Sequence, residues 1–103
     1  MITILFHMKI RPDQEAEFQE VALEAQRATR ADDDGCISYT FLRQASEPGE
    51  YVLFEQWRDR DALIAHAGHL VRLYGPPRQG DILPARLMEM FERSEAVHYE
   101  ALA

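Results

Sequence analysis

CISYTFLRQASEPGEYVLFEQWRDRDALIAH, residues 36–66, is the stretch that decides the fold. Its first part, 36–43, is rich in aromatic, β-branched and small side chains and reads as a strand. QASEPGE, 44–50, carries Pro-Gly at its tip and reads as a turn. YVLFEQWR, 51–58, reads as a second strand, so the pair forms a hairpin. Asp59 or Asp61 can then cap a helix over 60–74, whose apolar stripe is Leu63, Ala67, Leu70, Val71 and Tyr74. A hairpin that runs straight into a helix is one half of a split βαβ arrangement.

The flanks supply the other half. ITILFHMKI, 2–10, is β-branched and apolar and reads as the first strand. Pro12 and Asp13 mark a helix start. Phe18, Val21, Ala22, Ala25, Ala28 and Thr29 recur at helical spacing within 13–31, opposite a face of Glu, Gln and Arg. ADDDG, 31–35, ends that helix, and Gly35 suits a positive φ. Beyond the central stretch, GPPRQGD at 75–81 is a loop. LPARLMEMFERS at 83–94 reads as a third, shorter helix opened by Pro84, with Leu87, Met88, Met90 and Phe91 on its apolar side. A strand over 86–92 is the competing reading. AVHYEAL at 96–102 reads as the last strand. The order β-α-β-β-α-(α)-β predicts an α+β, ferredoxin-like sandwich, one domain over 1–103, with its helices on one face of an antiparallel sheet.

The strand patterns raise a second expectation. Ile2, Ile4, Phe6, Met8 and Ile10 share one side, with Leu5 among Thr3, His7 and Lys9 on the other. Ile37, Tyr39 and Phe41 share a side in the second strand. In the third, Tyr51, Leu53 and Trp57 oppose Val52 and Phe54. Neither face alternates as a solvent-washed face should. The helix-free face is therefore expected to be covered by a second copy, giving a homodimer or higher homo-oligomer by sheet-on-sheet packing, a dimeric α+β barrel.

Composition excludes several partners. The formal net charge of −7 gives no general footprint for nucleic acid or an anionic membrane. No apolar run approaches the length of a bilayer span. The opening MITILFHMKI alternates and has its basic residues after it, so it reads as a strand and not a signal peptide. Cys36 is the single cysteine, so no internal disulfide forms and a reducing, cytoplasmic location is expected. No phosphate loop, dinucleotide-binding glycine pattern, CxxC pair or Ser-His-Asp order occurs.

DGCISYTFLR at 34–43 and EYVLFEQWRDRDALIAH at 50–66 resemble the antibiotic biosynthesis monooxygenase family. Glu55, Trp57, the turn Arg58-Asp59-Arg60-Asp61 and His66 stand in that family's order, and AVHYEAL resembles its closing strand. The similarity extends over nearly the whole chain and is poorest at 75–83. The resemblance implies homodimers of ferredoxin-like units, each with a pocket between sheet and helices. It implies oxygenation of a small quinol, phenol or anthrone-like aromatic with O2 and no cofactor. Two departures bear on this. Several characterised oxygenases of the family use a pocket Asn, and this chain has no Asn. The family's second helical His stands five residues after the first, whereas His69 follows His66 by three. Haem-degrading relatives combine an Asn, a Trp and a His, a set this chain does not reproduce. The alternative is a non-oxygenase dimer of the same superfamily that binds or isomerises a small molecule.

The candidate base is His66, at the edge of the helical stripe, because imidazole titrates near neutrality and can take a proton from an acidic phenol or activated C–H. The plainer reading is a histidine bonded to a carboxylate or carbonyl that ties helix to sheet. Trp57, Tyr39, Tyr51, His69 and Arg72 are candidate substrate contacts. The structural alternative is core or dimer packing for Trp57 and a solvated guanidinium for Arg72; among Tyr39, Tyr51 and Tyr99, one could orient a substrate hydroxyl, and the sequence does not choose. His66 and His69 are helical neighbours but no further ligand completes a metal site, and none is expected. His7 and His98 read as solvated or rim residues. Glu55 reads as an ion-pair partner of an Arg of the turn or of a dimer partner, Met88 and Met90 as packing, and Cys36 as buried and inert.

Overall fold

The computed structural model describes residues 1–103. Strand β1 spans Ile2–Ile10, a 3-10 turn Pro12–Gln14, helix α1 Glu15–Asp32, β2 Cys36–Arg43, β3 Glu50–Trp57, helix α2 Arg60–Tyr74, a single turn α3 Ala85–Met88, and β4 Phe91–Tyr99. The four strands form one antiparallel sheet in the order β2-β3-β1-β4. This is the ferredoxin-like α+β arrangement that the element order predicted.

Each helix starts and stops where its residues require. Asp59 caps α2, its Oδ1 accepting from the Ala62 N–H at 2.9 Å. Gly75, at φ 97°, turns the chain out of it. At the end of α1, Gly35 has φ +90°. A Cβ built there would lie 2.8 Å from the Ala62 Cβ, so this turn sets how close α2 approaches the start of β2.

The core lies between the sheet and the two long helices. Met8, Ile10, Tyr39, Tyr51, Leu53 and Trp57 supply the sheet side. Phe18, Val21, Ala22 and Ala25 of α1 and Ala62, Leu70 and Tyr74 of α2 supply the helix side. Trp57 is fully buried. A buried Trp is worth about 3–5 kcal/mol against Ala.

Three expectations need correction. The expected helix over 83–94 is only partly present: after Pro84 it spans Ala85–Met88, and the chain then enters β4 at Phe91 and pairs with β1 as far as Tyr99. β4 is an edge strand whose residues 92–96 are all exposed, so its polar sequence, ERSEA, lacks a strand's apolar signature. Only Met90 and Phe91 at its entrance are buried, and they mimic a helical stripe with Leu87 and Met88. The second correction is in β2. A bulge between Cys36 and Ser38 sets Cys36 opposite Trp57 and leaves Ile37 extra and half exposed, not on the side of Tyr39. Third, Cys36 is half-buried and not fully buried.

The helix-free face carries a row of apolar side chains across the sheet. Val97 pairs with Leu5 and Leu5 with Phe54; beside them Val52 pairs with Leu42. Leu5, Val52, Phe54 and Val97 are all only partly buried, and Leu42 is exposed. Ser38, Gln56 and Thr3 form a hydrogen-bonded line at one end of this face.

Gly35→Ala is expected to lower stability by about 1–3 kcal/mol, because a side chain at that positive φ is strained and its Cβ has no room. Urea denaturation of the two proteins checks this. Equal midpoints would mean that the turn relaxes without cost.

Candidate functional site

A cavity of about 340 Å³ opens between the sheet and the helices. Its floor comes from Ile4, Phe6 and Met8 of β1 and Leu53 of β3, its roof from Val21, Ala22 and Ala25 of α1. The space exists because α1 presents alanines to the sheet where larger side chains would fill the layer. On the α2 side the wall is Leu63, Ile64, Ala67 and Leu70. Nineteen of the twenty-two lining residues are hydrophobic. The polar groups that reach this apolar space are therefore the chemically informative ones.

His66 is one. It is 4% exposed, and its Nδ1 lies 2.6 Å from Asp33 Oδ2. His69, one helical turn on, places its Nδ1 2.6 Å from the other oxygen of the same carboxylate. An ionised carboxylate only accepts, so each ring carries its proton on Nδ1. His66 Nε2 has no hydrogen-bond partner in the protein and is not sealed from the cavity. The ring itself is held edge to face by Tyr39, centroids 5.0 Å apart, and lies over Trp57 at 4.5 Å and 34°. Burial holds the His66 imidazole below its ordinary value, while Asp33 pulls it up and the neighbouring His69 lowers it slightly. The ring is neutral at neutral pH and offers a lone pair on Nε2. That is the form a general base needs.

Glu55 is the second. Within the chain it does not pair with an arginine of the turn, and that part of the ion-pair expectation is corrected. Its Oε1 accepts the Trp57 indole N–H at 2.7 Å. Burial pushes its carboxyl up, and the indole only partly opposes this. Tyr39 is the third: 3% exposed, on the cavity wall, with its phenol pushed far up by burial and by Glu55. Beside it Thr29 is fully buried and has a hydroxyl without a hydrogen-bond partner. His98 of β4 lines the open side with Ile82, Leu83 and Ala96.

The other candidates stand elsewhere. Trp57 lies behind His66 and Glu55 as their support and does not line the cavity. Tyr51 donates to Glu15 and accepts from Gln19, packed on Phe18 at 4.9 Å, away from the cavity. His69 is confined to Asp33. Arg72 is exposed and borders a separate, polar cleft with Asp32, Asp33, Asp34, Arg58 and Asp61. His7 is exposed on the helix-free face. No group of three or more His, Cys, Asp and Glu side chains converges to hold a metal ion. Burial, Asp33 and Glu55 push the Cys36 thiol up and Arg30 only partly opposes them, which favours the neutral thiol. Sequence reading missed Asp33 as a partner of the histidines. It lies 33 residues from His66, in a run of three aspartates that looks like an ordinary helix end, and no local spacing marks it.

A family model described as antibiotic biosynthesis monooxygenase matches residues 1–70. The chain is 34% identical over 65 residues to "Uncharacterized protein sll1783" of Synechocystis, a match covering 63% of this chain and 44% of that protein. It is 36% identical over 67 residues to "Putative monooxygenase Rv0793" of Mycobacterium tuberculosis, covering 65% and 64%. The chain thus matches less than two thirds of the length of either protein. The solved structure of Rv0793 superposes with a TM-score of 0.76 at 27% identity, over 99% of this chain and 95% of that one. A structure from Nitrosomonas europaea, titled an antibiotic biosynthesis monooxygenase of putative function, has a TM-score of 0.78 at 19% identity over all of both chains and shows the same fold. The chain belongs to the antibiotic biosynthesis monooxygenase family.

The buried neutral imidazole sets a pH dependence. An unfolded histidine binds a proton near pH 6.5, more readily than folded His66, so the unfolded state holds more protons below that value. Stability is expected to fall as pH drops through and below about 6.5. Asp33→Asn is expected to move the His66 midpoint further down, since Asp33 raises it. Histidine ¹⁵N NMR across pH checks both the Nδ1-H tautomer and the direction. A His66 midpoint that rises in Asp33→Asn would refute this account of the clamp.

Proposed function

We propose that this member of the antibiotic biosynthesis monooxygenase family oxidises a small quinol, phenol or anthrone-like aromatic with O2, without a bound cofactor, and that His66 is its base. The observation that carries the reading is an imidazole that lines an apolar cavity, with Nδ1 tied to Asp33 and Nε2 without a partner in the protein. Nε2 takes the proton of the substrate hydroxyl or activated C–H. The resulting anion is electron-rich and gives an electron to O2, so the substrate is the reductant. For an activated CH2 the sum is CH2 + O2 → C=O + H2O. The apolar walls keep water from the anion and from the reduced oxygen. Tyr39 is the proposed contact for the aromatic ring beside His66. Tyr51 and Arg72, set apart from the cavity, do not enter the proposal, and Trp57 and His69 act by holding His66. The relatives' monooxygenase names agree with this reading.

The second reading, a non-oxygenase that binds or isomerises a small molecule, is favoured by one feature: no Asn exists to serve the pocket. Oxygen uptake separates the two. With a panel of anthrones and hydroquinones, uptake above the spontaneous rate is expected, and His66→Ala should lower kcat by about 10²–10⁴-fold with the fold intact by circular dichroism. No uptake with any member of the panel would leave the binding or isomerase reading in its place.

We propose further that the whole chain is one domain and that a second copy covers the helix-free face. The support is the row of Val97, Leu5 and Phe54 with Val52 and Leu42 beside it, an apolar strip on a face that no helix covers. Sedimentation should give a dimer for the native chain and a monomer for Phe54→Glu. A native monomer at micromolar concentration would refute the pairing. No helix is long and apolar enough to cross a membrane.

A further inference from the structure

The proposed reaction uses one proton acceptor, yet the cavity contains a second ionisable group with no assigned role. Glu55 sits on the helix-facing side of β3 between Leu53 and Trp57, only 8% exposed, with Ile4 and then His98 next to it across the sheet. A buried carboxylate ordinarily has a cationic partner. Glu55 has no ion pair, and its one hydrogen bond comes from the neutral indole of Trp57 to Oε1. Oε2 accepts nothing from the protein and is not sealed off. Glu55 lines the cavity, and Oε2 is the oxygen that the protein leaves for a ligand there.

The groups around it do not stabilise a charge. β2 contributes the Tyr39 phenol and the Cys36 thiol, neither of which brings a positive charge. α2 contributes the neutral His66, and β4 the rim residue His98. α1 contributes Val21, Ala22 and Ala25, with no ionisable group among them. A ligand in the cavity would displace the remaining water at Oε2 and disfavour the carboxylate further.

We propose that Glu55 is the proton donor of this cavity: as the neutral acid it gives the Oε2 proton to the oxygen of the ligand that becomes negative, while His66 takes a proton from the same ligand. The proposal rests on the monooxygenase reading for its chemical step. There O2 adds to the substrate anion and forms C–O–O⁻. Transfer of the Glu55 proton gives the hydroperoxide C–OOH and leaves Glu55 as the anion. Loss of the remaining C–H proton forms C=O, breaks O–O and releases hydroxide. Two protons leave the substrate carbon in all, the first to His66, the second with the departing oxygen as water. The proton on imidazolium then restores Glu55 through solvent. Before reaction, the same acid donates a hydrogen bond to a carbonyl oxygen. The cavity therefore selects a ligand with an acidic proton for His66 and a carbonyl for Glu55: a ketone with an activated CH2 where it is oxidised, and a hydroxyaryl ketone where it is only bound.

The test uses the native chain, Glu55→Gln and Glu55→Ala. Gln keeps an oxygen for the Trp57 N–H and an N–H for the ligand but has no proton to give. Two readouts are taken. The first needs no turnover: ¹³C-carboxyl NMR of Glu55 with and without 1-hydroxyanthraquinone, which has both groups and cannot be oxidised in the same way. The Glu55 midpoint is expected above the ordinary carboxylate value and higher again with the probe, and Glu55→Gln should bind the probe within threefold of native while Glu55→Ala binds it at least tenfold more weakly. The second is steady-state oxygen uptake, in which Glu55→Gln should lose at least tenfold in kcat with KM little changed. A midpoint that falls on binding the probe, or equal probe affinity in all three proteins, overturns the proposal whether or not the protein is an oxygenase. Normal kcat in Glu55→Gln overturns the proton transfer. If no substrate turns over but the NMR and binding results hold, the monooxygenase reading fails and Glu55 stands as the ligand's hydrogen-bond donor.

Discussion

The geometry depends on one carboxylate. Asp33 stands at the turn between α1 and β2 and accepts from both His66 and His69 of α2. Two charge-assisted bonds from consecutive turns of a helix fix its rotation as well as its distance. If α2 rotated, Leu63, Ala67 and Leu70 would leave the cavity wall together. The clamp also decides a chemical point. It puts the imidazole proton on Nδ1, so the basic nitrogen is the one toward the cavity. The bond that ties His66 to the fold is thus also the one that leaves Nε2 without its proton, and the plain reading of His66 as a tie is compatible with the base proposed for it.

A cavity of this kind works against stability. Filling it with larger α1 side chains would add apolar burial at about 25 cal/mol per Å². The chain keeps alanines there and compensates around the rim. Phe18 contacts Tyr51, Phe41 and Phe91 edge to face at centroid distances of 4.9 to 6.3 Å. Tyr74 donates to Glu24 at 2.8 Å and ties α2 to α1 beyond the cavity. The packing is tight at both ends of the sandwich and open in the middle.

The central stretch was legible because its signals are local. Alternation through 36–43, Pro48-Gly49 and the Asp59 cap each act within a few residues, and the elements they predict are present. β4 was not legible, because an edge strand that is exposed on most of its length has no apolar period to show. Ile37 was misplaced because a bulge shifts the alternation by one residue, and no residue type announces it. Within the site, His66 and Tyr39 could be picked by chemistry and by spacing. Asp33 could not, since its role comes from a turn folded back onto a helix 33 residues away. Glu55 was visible as a carboxyl in an apolar strand, but the sequence offered five nearby charges in Arg58 to Asp61 and Glu50 as an environment. The strand pairs it instead with the indole two residues on.

An acid and a base in one apolar cavity raise the question of why they do not neutralise each other. Burial acts on them in opposite senses: it lowers His66 and raises Glu55, and in both cases favours the uncharged form. Transfer of a proton from Glu55 to His66 in the empty cavity would create two buried ions, each with desolvation to overcome. In the empty site burial thus favours the neutral acid and the neutral base over the ion pair. A ligand changes the balance only if it takes up charge between them. When His66 accepts the ligand's proton, the new imidazolium is already bonded to Asp33 and needs no rearrangement of the protein. The negative charge then lies on the ligand, and a neutral carboxyl beside it can donate where a carboxylate would repel. The same burial that keeps the pair silent without a ligand makes it reactive with one, under the reaction proposed for it.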